Sequence, residues 1–206
     1  RGMPPERLIA TGIPVRASAS ERLGKQAARA ALGLAPENRL VVVMGGSMGG
    51  GRMEDVVRAL LGTLGDETKI AALCGSNRRL ARRLKQRFAG EARLRIVGYT
   101  KQAALWMEAC DVLLTKPGGL TSTEAAVKGV PLVLTAPIPG CETLNAAYFQ
   151  RHGLALRAFE PRLAAAEALR LLEDEAARET MLRCQREKVP ARAAEAIAER
   201  ILQGEG

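Results

Sequence analysis

Histidine and cysteine are scarce in this chain, and their scarcity excludes the metal sites that are built from these residues. The single histidine, His152, leaves no multi-histidine metal site, and the four cysteines lack metal-ligand spacing. The sequence contains no D-x-D motif that could bind a cation. We therefore expect neither a metal nor a cofactor. His152 precedes Gly153 near a predicted helix end, where a capping role is expected.

Long hydrophobic runs are also missing. No stretch approaches the ~18 apolar residues of a membrane span, and the start, RGMPPERLIATGIPV, has no signal-peptide core. These features predict a cytosolic context, in which a structural disulfide is not expected. Cys74 and Cys110 border apolar runs and are predicted to be buried thiols.

The charge balance is strongly basic. Lys and Arg total 31 against 22 acidic residues, a net charge of +9. This favours an anionic partner, namely a nucleotide, a nucleic acid or an acidic lipid surface, without choosing among them. Aromatic residues make up only 3% of the chain, which disfavours nucleic-acid binding by base stacking.

The most basic segment is RRLARRLKQR, residues 78–87. Leu80, Leu84 and Phe88 recur at four-residue spacing and predict an apolar stripe, with the arginines on the other faces of a helix. A solvated outer face is the first interpretation. A surface for anionic lipid is the second.

Apolar runs and helical patterns alternate along the chain, which is 47% hydrophobic. Strands are predicted at 39–46, 69–75, 93–99, 111–119, 130–137 and 153–157. Helices are predicted at 21–34, around Val56 to Leu61, at 77–88, 101–109, 121–128 and 142–151, and over most of 161–203. This alternation predicts an α/β fold, a Rossmann-like parallel sheet with helices on both faces. Ligands of such folds bind where the carboxyl ends of the strands meet the following loops.

The first such loop is MGGSMGGG, residues 44–51. Glycines directly after a buried strand let the backbone approach a ligand, and the next helix offers free N–H groups to a phosphate. The loop is neither a Walker motif nor a strict G-x-G-x-x-G. A flexible turn without a ligand remains an alternative.

The second loop is KPGGLTSTEA, residues 116–125. Thr121 and Glu124 have the spacing of a capping box, which would account for the carboxylate without a ligand. Gly118 and Gly119 are not explained by a cap, because they keep side chains away from the helix start. The space that these glycines leave above the helix start could hold a diphosphate, and Glu124 could then accept hydrogen bonds from a ribose diol.

The third loop is APIPGCETLNA, residues 136–146, in which Gly140 permits a sharp turn. Glu142 and Asn145 follow at i and i+3 and so share one face of the next helix. An acid and an amide match the vicinal hydroxyls of a sugar. Taken alone, Glu142 is equally a favourable acid in a first helical turn, but three such loops at one sheet edge favour a ligand site.

The same residues resemble a known family, over about Gly12 to Glu160. The matching pieces are GIPV (12–15), VVVMGGSMGGG, LCGSN, VGYT, WMEACDVLLTKPGGLTSTEAAVKGVPLVL (106–134) and PIPGCETLNAAYF (137–149). They are similar to the C-terminal, donor-binding half of GT-B glycosyltransferases. The resemblance is to the monogalactosyldiacylglycerol synthases and processive diacylglycerol glucosyltransferases.

This resemblance implies a UDP-hexose donor. It places Gly45, Gly46 and Ser47 at the sugar-diphosphate cleft and the backbone of Gly98 and Tyr99 at uracil. The second loop would meet the phosphates through Pro117, Gly118, Gly119, Leu120 and Thr121, and the ribose through Glu124. The third would meet the hexose through Gly140, Cys141, Glu142 and Asn145. The family usually has glutamine where this chain has Cys141, and a thiol cannot replace the paired hydrogen bonds of an amide.

The resemblance also implies a second, N-terminal domain that carries the acceptor and the catalytic base. Residues 1–20 would be an interdomain arm, 21–190 the donor-binding domain, and 191–206 a C-terminal helix that packs toward the other domain. A lipid acceptor, diacylglycerol or a relative, is expected through that domain, and no catalytic base is expected in this chain.

Location and the competing functions follow from the same reasoning. We expect a cytoplasmic protein, with peripheral contact to an anionic membrane at its inner face as an open alternative. The other functions to be weighed are a UDP-sugar epimerase of the same fold and a non-catalytic basic module that binds nucleic acid. Of these the resemblance favours neither, and no nucleic-acid partner is expected.

Overall fold

The computed structural model describes residues 3–5, 8–46 and 52–203. Within them, six parallel strands form one sheet in the order β3-β2-β1-β4-β5-β6. The strands are β1 (Arg39–Met44), β2 (Thr68–Leu73), β3 (Leu94–Val97), β4 (Val112–Thr115), β5 (Leu132–Leu134) and β6 (Leu156–Arg157). The predicted Rossmann-like parallel sheet is therefore confirmed.

Helices connect the strands and pack around the sheet. They are α1 (Ala17–Ser20), α2 (Lys25–Ala31), α3 (Met53–Thr63), α4 (Arg78–Arg87), α5 (Ala103–Ala109), α6 (Gly119–Lys128), α7 (Cys141–Arg151), α8 (Pro161–Glu173), α9 (Glu175–Lys188) and α10 (Ala193–Leu202). Helix α3 packs against α8, α2 against α5, and α6 against α9. No helix within the described residues combines the length and apolarity needed to cross a bilayer.

Strand β1 is the centre of the sheet and pairs on both sides. It runs parallel to β2 from Arg39 to Met44 and to β4 from Val41 to Met44. Val41 and Val42 are fully buried, as expected for a valine-rich run that is covered on both faces. The strand order reverses between β1 and β4, so the loops after these two strands diverge and leave a crevice between them.

The starts of α2 and α6 differ from the sequence-based prediction. Helix α2 begins at Lys25 rather than near Glu21, because Gly24 adopts a positive φ of 93° that breaks the helical path. Helix α6 begins at Gly119, two residues before the predicted start at Thr121, with Gly118 as its N-cap. Two consecutive glycines have no β-carbon to hinder this earlier start.

A buried arginine links several elements at the amino edge of the sheet. Arg29 of α2 is 5% exposed; its Nη2 lies 2.8 Å from Asp111 Oδ2, and its Nε donates to the Ala109 carbonyl at 3.0 Å. The Leu40 amide donates to the same carboxylate oxygen at 2.6 Å. Asp111 thus joins α2, the start of β1 and the start of β4.

The cysteines and the histidine lie where the sequence predicts them. Cys74 and Cys110 are buried, and burial raises the pKa of the Cys74 thiol to about 11. Burial, with a further contribution from Asp111, raises the pKa of Cys110 to about 12. His152 is the C-cap of α7, and its ring centroid lies 4.3 Å from that of Tyr148.

Candidate functional site

A cleft of about 490 Å³ opens at the carboxyl edge of the sheet. Its floor is the ends of β1 and β2, and its walls are the loop after β3, the first turns of α6 and a segment preceding α1. The lining residues are Pro14, Arg16, Met44, Gly46, Leu73, Gly75, Gly98, Tyr99, Thr100, Lys101, Ala103, Leu120, Thr121 and Glu124. The structure therefore brings together several of the predicted site residues, from loops that are far apart in the chain.

The loop after β1 brings its backbone close to the side chain of Lys116, which directly follows β4. Gly46 adopts a φ of 73°, and a methyl group added to it would stand 3.0 Å from the Cε of Lys116. Gly45 is buried directly behind it. The predicted site residue Ser47 lies outside the described residues. The lysine side chain therefore fills the space that glycine leaves free.

Helix α6 presents an uncapped N-terminus beside this cleft. Its N-cap is Gly118, and among the described residues no side chain bonds the first amides of the helix. The capping box predicted for Thr121 and Glu124 is therefore wrong, because Thr121 lies inside the first turn instead of at the cap. The amides of Gly119, Leu120 and Thr121 have no acceptor within the helix, and the positive end of the helix dipole adds to their attraction for an anion.

Glu124 is bound by an arginine instead of by a cap. The Nε of Arg16 donates to Oε1 at 2.8 Å, and Nη2 donates to Oε2 at 3.0 Å. The carboxylate side chain is 5% exposed, whereas the arginine side chain is 67% exposed. This hydrogen bond and charge raise the pKa of Arg16. A carboxylate offers about four acceptor positions, so Glu124 can retain Arg16 and still accept two hydroxyl groups.

The third loop places a second carboxylate near the first turn of α6. Gly140 is the N-cap of α7 at a φ of 115°, and Cys141, the first residue of α7, is exposed. Glu142 is 7% exposed. Its Oε1 is ion-paired with Lys116 Nζ, and its Oε2 accepts the Ile138 amide proton at 2.8 Å. The arrangement confirms that Glu142 points back toward the sheet edge and is not a solvated helix-start acid.

Asn145 joins the second and third loops. Its Nδ2 donates to the Pro117 carbonyl at 3.0 Å. A methyl group added to Gly119 would stand 3.7 Å from that nitrogen, and one added to Gly118 would stand 3.9 Å from Glu142 Oε1. The Gly118–Gly119 pair, Glu142 and Asn145 therefore surround one small space at the start of α6.

The loop after β3 forms the outer wall of the cleft. Gly98 and Tyr99 both line it, and Tyr99 is 72% exposed. An exposed aromatic ring at the mouth of a cleft is available to a planar ligand group. The role predicted for these two residues, contact with uracil, stays a prediction.

Sequence reasoning missed two cations of this site. Arg16 and Lys116 each pair with a carboxylate that was assigned to a sugar, across 108 and 26 positions of the chain respectively. The available signals were local: Arg16 directly follows GIPV, and Lys116 opens KPGG. Neither signal reveals the partner, because the pairing depends on how the strands are ordered in the sheet.

A second hollow, of about 590 Å³, lies at the amino edge of the sheet. Several of its charged residues already have partners in the protein. Lys25 is ion-paired with Asp111, and Lys128 with Glu108 at 2.9 Å. Across the described part of the chain, no group of three or more His, Cys, Asp and Glu side chains could hold a metal ion. The carboxyl-edge cleft is thus the better candidate site.

A glycine-flanked cleft at the reversal point of a parallel sheet, with an open helix N-terminus and a buried carboxylate, is typical of the Rossmann-like class of domains. Residues 40–200 match the glycosyltransferase family 28 C-terminal domain, and the chain belongs to this family. The family predicted from the sequence motifs is therefore confirmed.

The relatives of this chain include proteins that are named as diacylglycerol glycosyltransferases. The chain is 33% identical over 153 residues to the processive diacylglycerol beta-glucosyltransferase of Staphylococcus carnosus (strain TM300), covering 74% of this chain and 39% of that protein. It is 34% identical over 177 residues to the probable chloroplastic monogalactosyldiacylglycerol synthase 2 of Oryza sativa subsp. japonica, covering 82% and 38% respectively. The chain thus spans about two-fifths of the length of these relatives.

A solved structure with bound ligands shares the fold. The Anabaena protein HepE, solved in complex with UDP and glucose, superposes with a TM-score of 0.65 at 19% identity, over 91% of this chain and 52% of that one. At this identity the likeness establishes the fold alone. It agrees with the prediction that the chain forms one half of a GT-B fold.

Proposed function

We propose that this chain is the donor-binding domain of a UDP-hexose-dependent glycosyltransferase that transfers a hexosyl group to diacylglycerol or a related lipid. The observation that carries the proposal is the cleft at the β1/β4 reversal, where the uncapped N-terminus of α6 lies beside the buried Glu124. Amide donors for a phosphate thus lie beside a carboxylate acceptor for a diol, in the order in which a nucleoside diphosphate presents these groups.

Each part of the donor is assigned to one part of the cleft. Uracil lies against Gly98 and Tyr99, and the ribose hydroxyls donate to Glu124. The diphosphate lies over the start of α6 and the glycine loop after β1, and the hexose lies against the start of α7. The residues assigned to diphosphate and hexose are Gly45, Gly46, Ser47, Pro117, Gly118, Gly119, Leu120, Thr121, Gly140, Cys141, Glu142 and Asn145.

The role assigned to this chain in catalysis is to stabilise the negative charge of UDP as it leaves. Backbone amides at a helix start stabilise negative charge as it develops on a leaving diphosphate. The acceptor hydroxyl would attack the anomeric carbon with inversion, and the base that takes its proton is proposed to lie outside these residues, in keeping with the relatives' greater length. Amides and cations of the protein carry the diphosphate charge in this scheme, which invokes no metal.

The two other functions fit the site less well. An epimerase would need histidine and acidic groups around the sugar, but the single histidine, His152, lies at the C-terminal end of α7, remote from the N-terminal turn that holds Glu142. A nucleic-acid module would be expected to expose stacking aromatics along its basic face, and the chain has few aromatic residues of any kind.

Titration calorimetry with UDP tests the assignment. We expect saturable binding that persists at raised salt, because most of the contacts are hydrogen bonds in a preformed cleft. Absence of saturable heat at millimolar UDP would contradict a preformed donor site. A strong gel shift of nucleic acid with steep salt dependence, unaffected by UDP, would favour the nucleic-acid module instead.

We further propose that α4 contacts an anionic membrane at its cytoplasmic face. Glu54 pairs with Arg83 at 2.6 Å and with Arg87 at 3.1 Å, which offsets part of the positive charge on one side of the helix. The remaining cations include Arg82 and Lys85, which are exposed and have no side-chain ion pair among the described residues. They line, with Arg78 and Tyr99, a groove of about 540 Å³ that contains no acidic residue.

Sedimentation with lipid vesicles tests this contact. Each basic residue near an anionic surface contributes about 1 kcal/mol, so the double reversal R82E/K85E should weaken binding to phosphatidylglycerol-containing vesicles by at least about thirtyfold. The double reversal R183E/R186E changes two exposed arginines of α9 by the same charge and is the matched control. Equal losses in both variants would show that net charge, and not α4, governs binding.

A further inference from the structure

Lys116 lies where the three loops of the site meet. It directly follows β4, and its side chain, 18% exposed, crosses to the end of β1. Its Cε is 3.0 Å from the position of a methyl group on Gly46, and its Nζ is 3.9 Å from the positions of methyl groups on Gly46 and on Gly118. The ammonium group therefore stands between the two strand ends, beside the N-terminal turn of α6.

The partner of Lys116 is the carboxylate assigned to the hexose. Both oxygens of Glu142 are occupied, one by the lysine ammonium and the other by the Ile138 amide. Both side chains of the ion pair are largely shielded from water, at 18% and 10% exposure. Lys116 thus neutralises the carboxylate that is assigned to the hexose.

We propose that Lys116 is a diphosphate-binding residue, and that its transfer to the diphosphate releases Glu142 to accept hydrogen bonds from the hexose. This inference rests on the proposed function and adds a cation to the diphosphate site. A diphosphate carries more charge than a carboxylate, and it enters at the positive end of α6, so it competes effectively for the ammonium. The three N–H donors of lysine allow the exchange to proceed through a shared state.

The exchange couples recognition of the two parts of the donor. A free hexose meets a carboxylate whose charge is neutralised by Lys116 and which is therefore a weaker acceptor, whereas a hexose attached to UDP arrives with the group that withdraws Lys116. After transfer, the ammonium would remain with the departing UDP and stabilise its charge. Recognition of the hexose through Glu142 is therefore stronger when the diphosphate is present.

The first experiment compares UDP with uridine by calorimetry. Replacing a charged hydrogen-bond donor should weaken UDP binding to K116M by about ten- to a hundredfold. Binding of uridine, which lacks the diphosphate, should change by less than about twofold. The matched control is K188M, which removes an exposed lysine of α9 that donates to the His152 carbonyl, and it should bind both ligands as the parent does.

A second variant tests whether Lys116 binds the diphosphate or only neutralises the charge of Glu142. K116M alone leaves a buried carboxylate without its cation, which would repel a diphosphate and destabilise the fold. K116M/E142Q removes both charges and leaves a neutral amide in the same place. We expect K116M/E142Q to bind UDP at least about tenfold more weakly than E142Q, because these two variants differ only in the lysine.

The outcomes decide between the alternatives. Recovery of parental UDP affinity in K116M/E142Q would overturn the inference, because Lys116 would then serve only to neutralise Glu142. An equal loss of uridine and UDP binding would overturn it as well, since the effect would then be general. If the parent protein binds no UDP at all, the proposed function itself fails. Thermal unfolding of each variant verifies that the compared proteins are folded.

Discussion

Arg16 binds both oxygens of the Glu124 carboxylate, at 2.8 and 3.0 Å, although 108 positions separate the two residues. The arginine belongs to the segment that was expected to be an arm, and the carboxylate belongs to α6. The same segment brings Ile13 within 3.8 Å of the position of a methyl group on Gly119. Residues before α1 therefore help to build the cleft.

Glu124→Gln tests whether this carboxylate recognises ribose. The substitution should weaken UDP binding by about 1–3 kcal/mol, because an amide is a poorer acceptor for two hydroxyl groups than a charged carboxylate. The parent should prefer UDP over 2′-deoxy-UDP, and the variant should lose that preference. Calorimetry with both nucleotides provides the measurement.

Arg16→Met is the control for that experiment. It removes the partner of Glu124 but leaves the carboxylate in place, so the preference for the 2′-hydroxyl should persist even if overall affinity falls. A parent protein that binds UDP and 2′-deoxy-UDP equally would rule out the ribose role.

Glu142→Gln should separate hexose recognition from nucleotide recognition. UDP affinity should not fall below that of the parent, because the diphosphate contacts α6 and Lys116 and not this carboxylate, and Glu142 no longer competes for the lysine. The additional affinity for UDP-glucose or UDP-galactose over UDP should disappear, since the loss of one charged acceptor corresponds to about 1.5–3 kcal/mol. An unchanged hexose increment would remove Glu142 from the site.

Alkylation by iodoacetamide should distinguish the cysteines. The thiolate is the reactive form, and burial raises the pKa of Cys74 to about 11 and that of Cys110 to about 12, so both remain protonated at pH 8. Cys141 is exposed at the start of α7 and should be labelled first. Peptide mass spectrometry after timed labelling gives the order, and fast labelling of Cys110 in the folded protein would contradict the described packing.

Asp111→Ala should affect stability without affecting the donor cleft. It leaves buried Arg29 without its ion partner, which we expect to lower the free energy of unfolding by about 2–3 kcal/mol. UDP affinity should be unchanged, because Asp111 lies at the opposite edge of the sheet from the cleft. Urea unfolding and calorimetry give the two quantities.

Asp174→Ala provides the comparison for that variant. Asp174 caps α9 through a 2.9 Å bond from the Ala177 amide, and loss of such an exposed cap costs about 1 kcal/mol. If Asp111→Ala lowers the free energy of unfolding by no more than Asp174→Ala does, the Arg29–Asp111 ion pair is not a main source of stability at the amino edge.

Much of the fold could be predicted because it depends on local patterns. The valine run of β1 and the regular return of strands and helices already indicate a parallel sheet, and the glycines after β1 and β4 indicate where backbones come close to a ligand. Glu142 and Asn145 could be placed on one face from their spacing alone. The start of α6 could not be located, because two glycines permit several starting points.

The amino-acid order by itself determined the fold class, the edge of the sheet that holds the candidate site, and several of the residues at that edge, since strand and helix periodicity are properties of neighbouring residues. Only the tertiary structure decided that Glu124 is held by Arg16 and Glu142 by Lys116. Such pairs join segments distant in the chain, and their formation depends on which strands lie side by side. The acidic residues were therefore visible in the sequence, but the cations that control their charge were not.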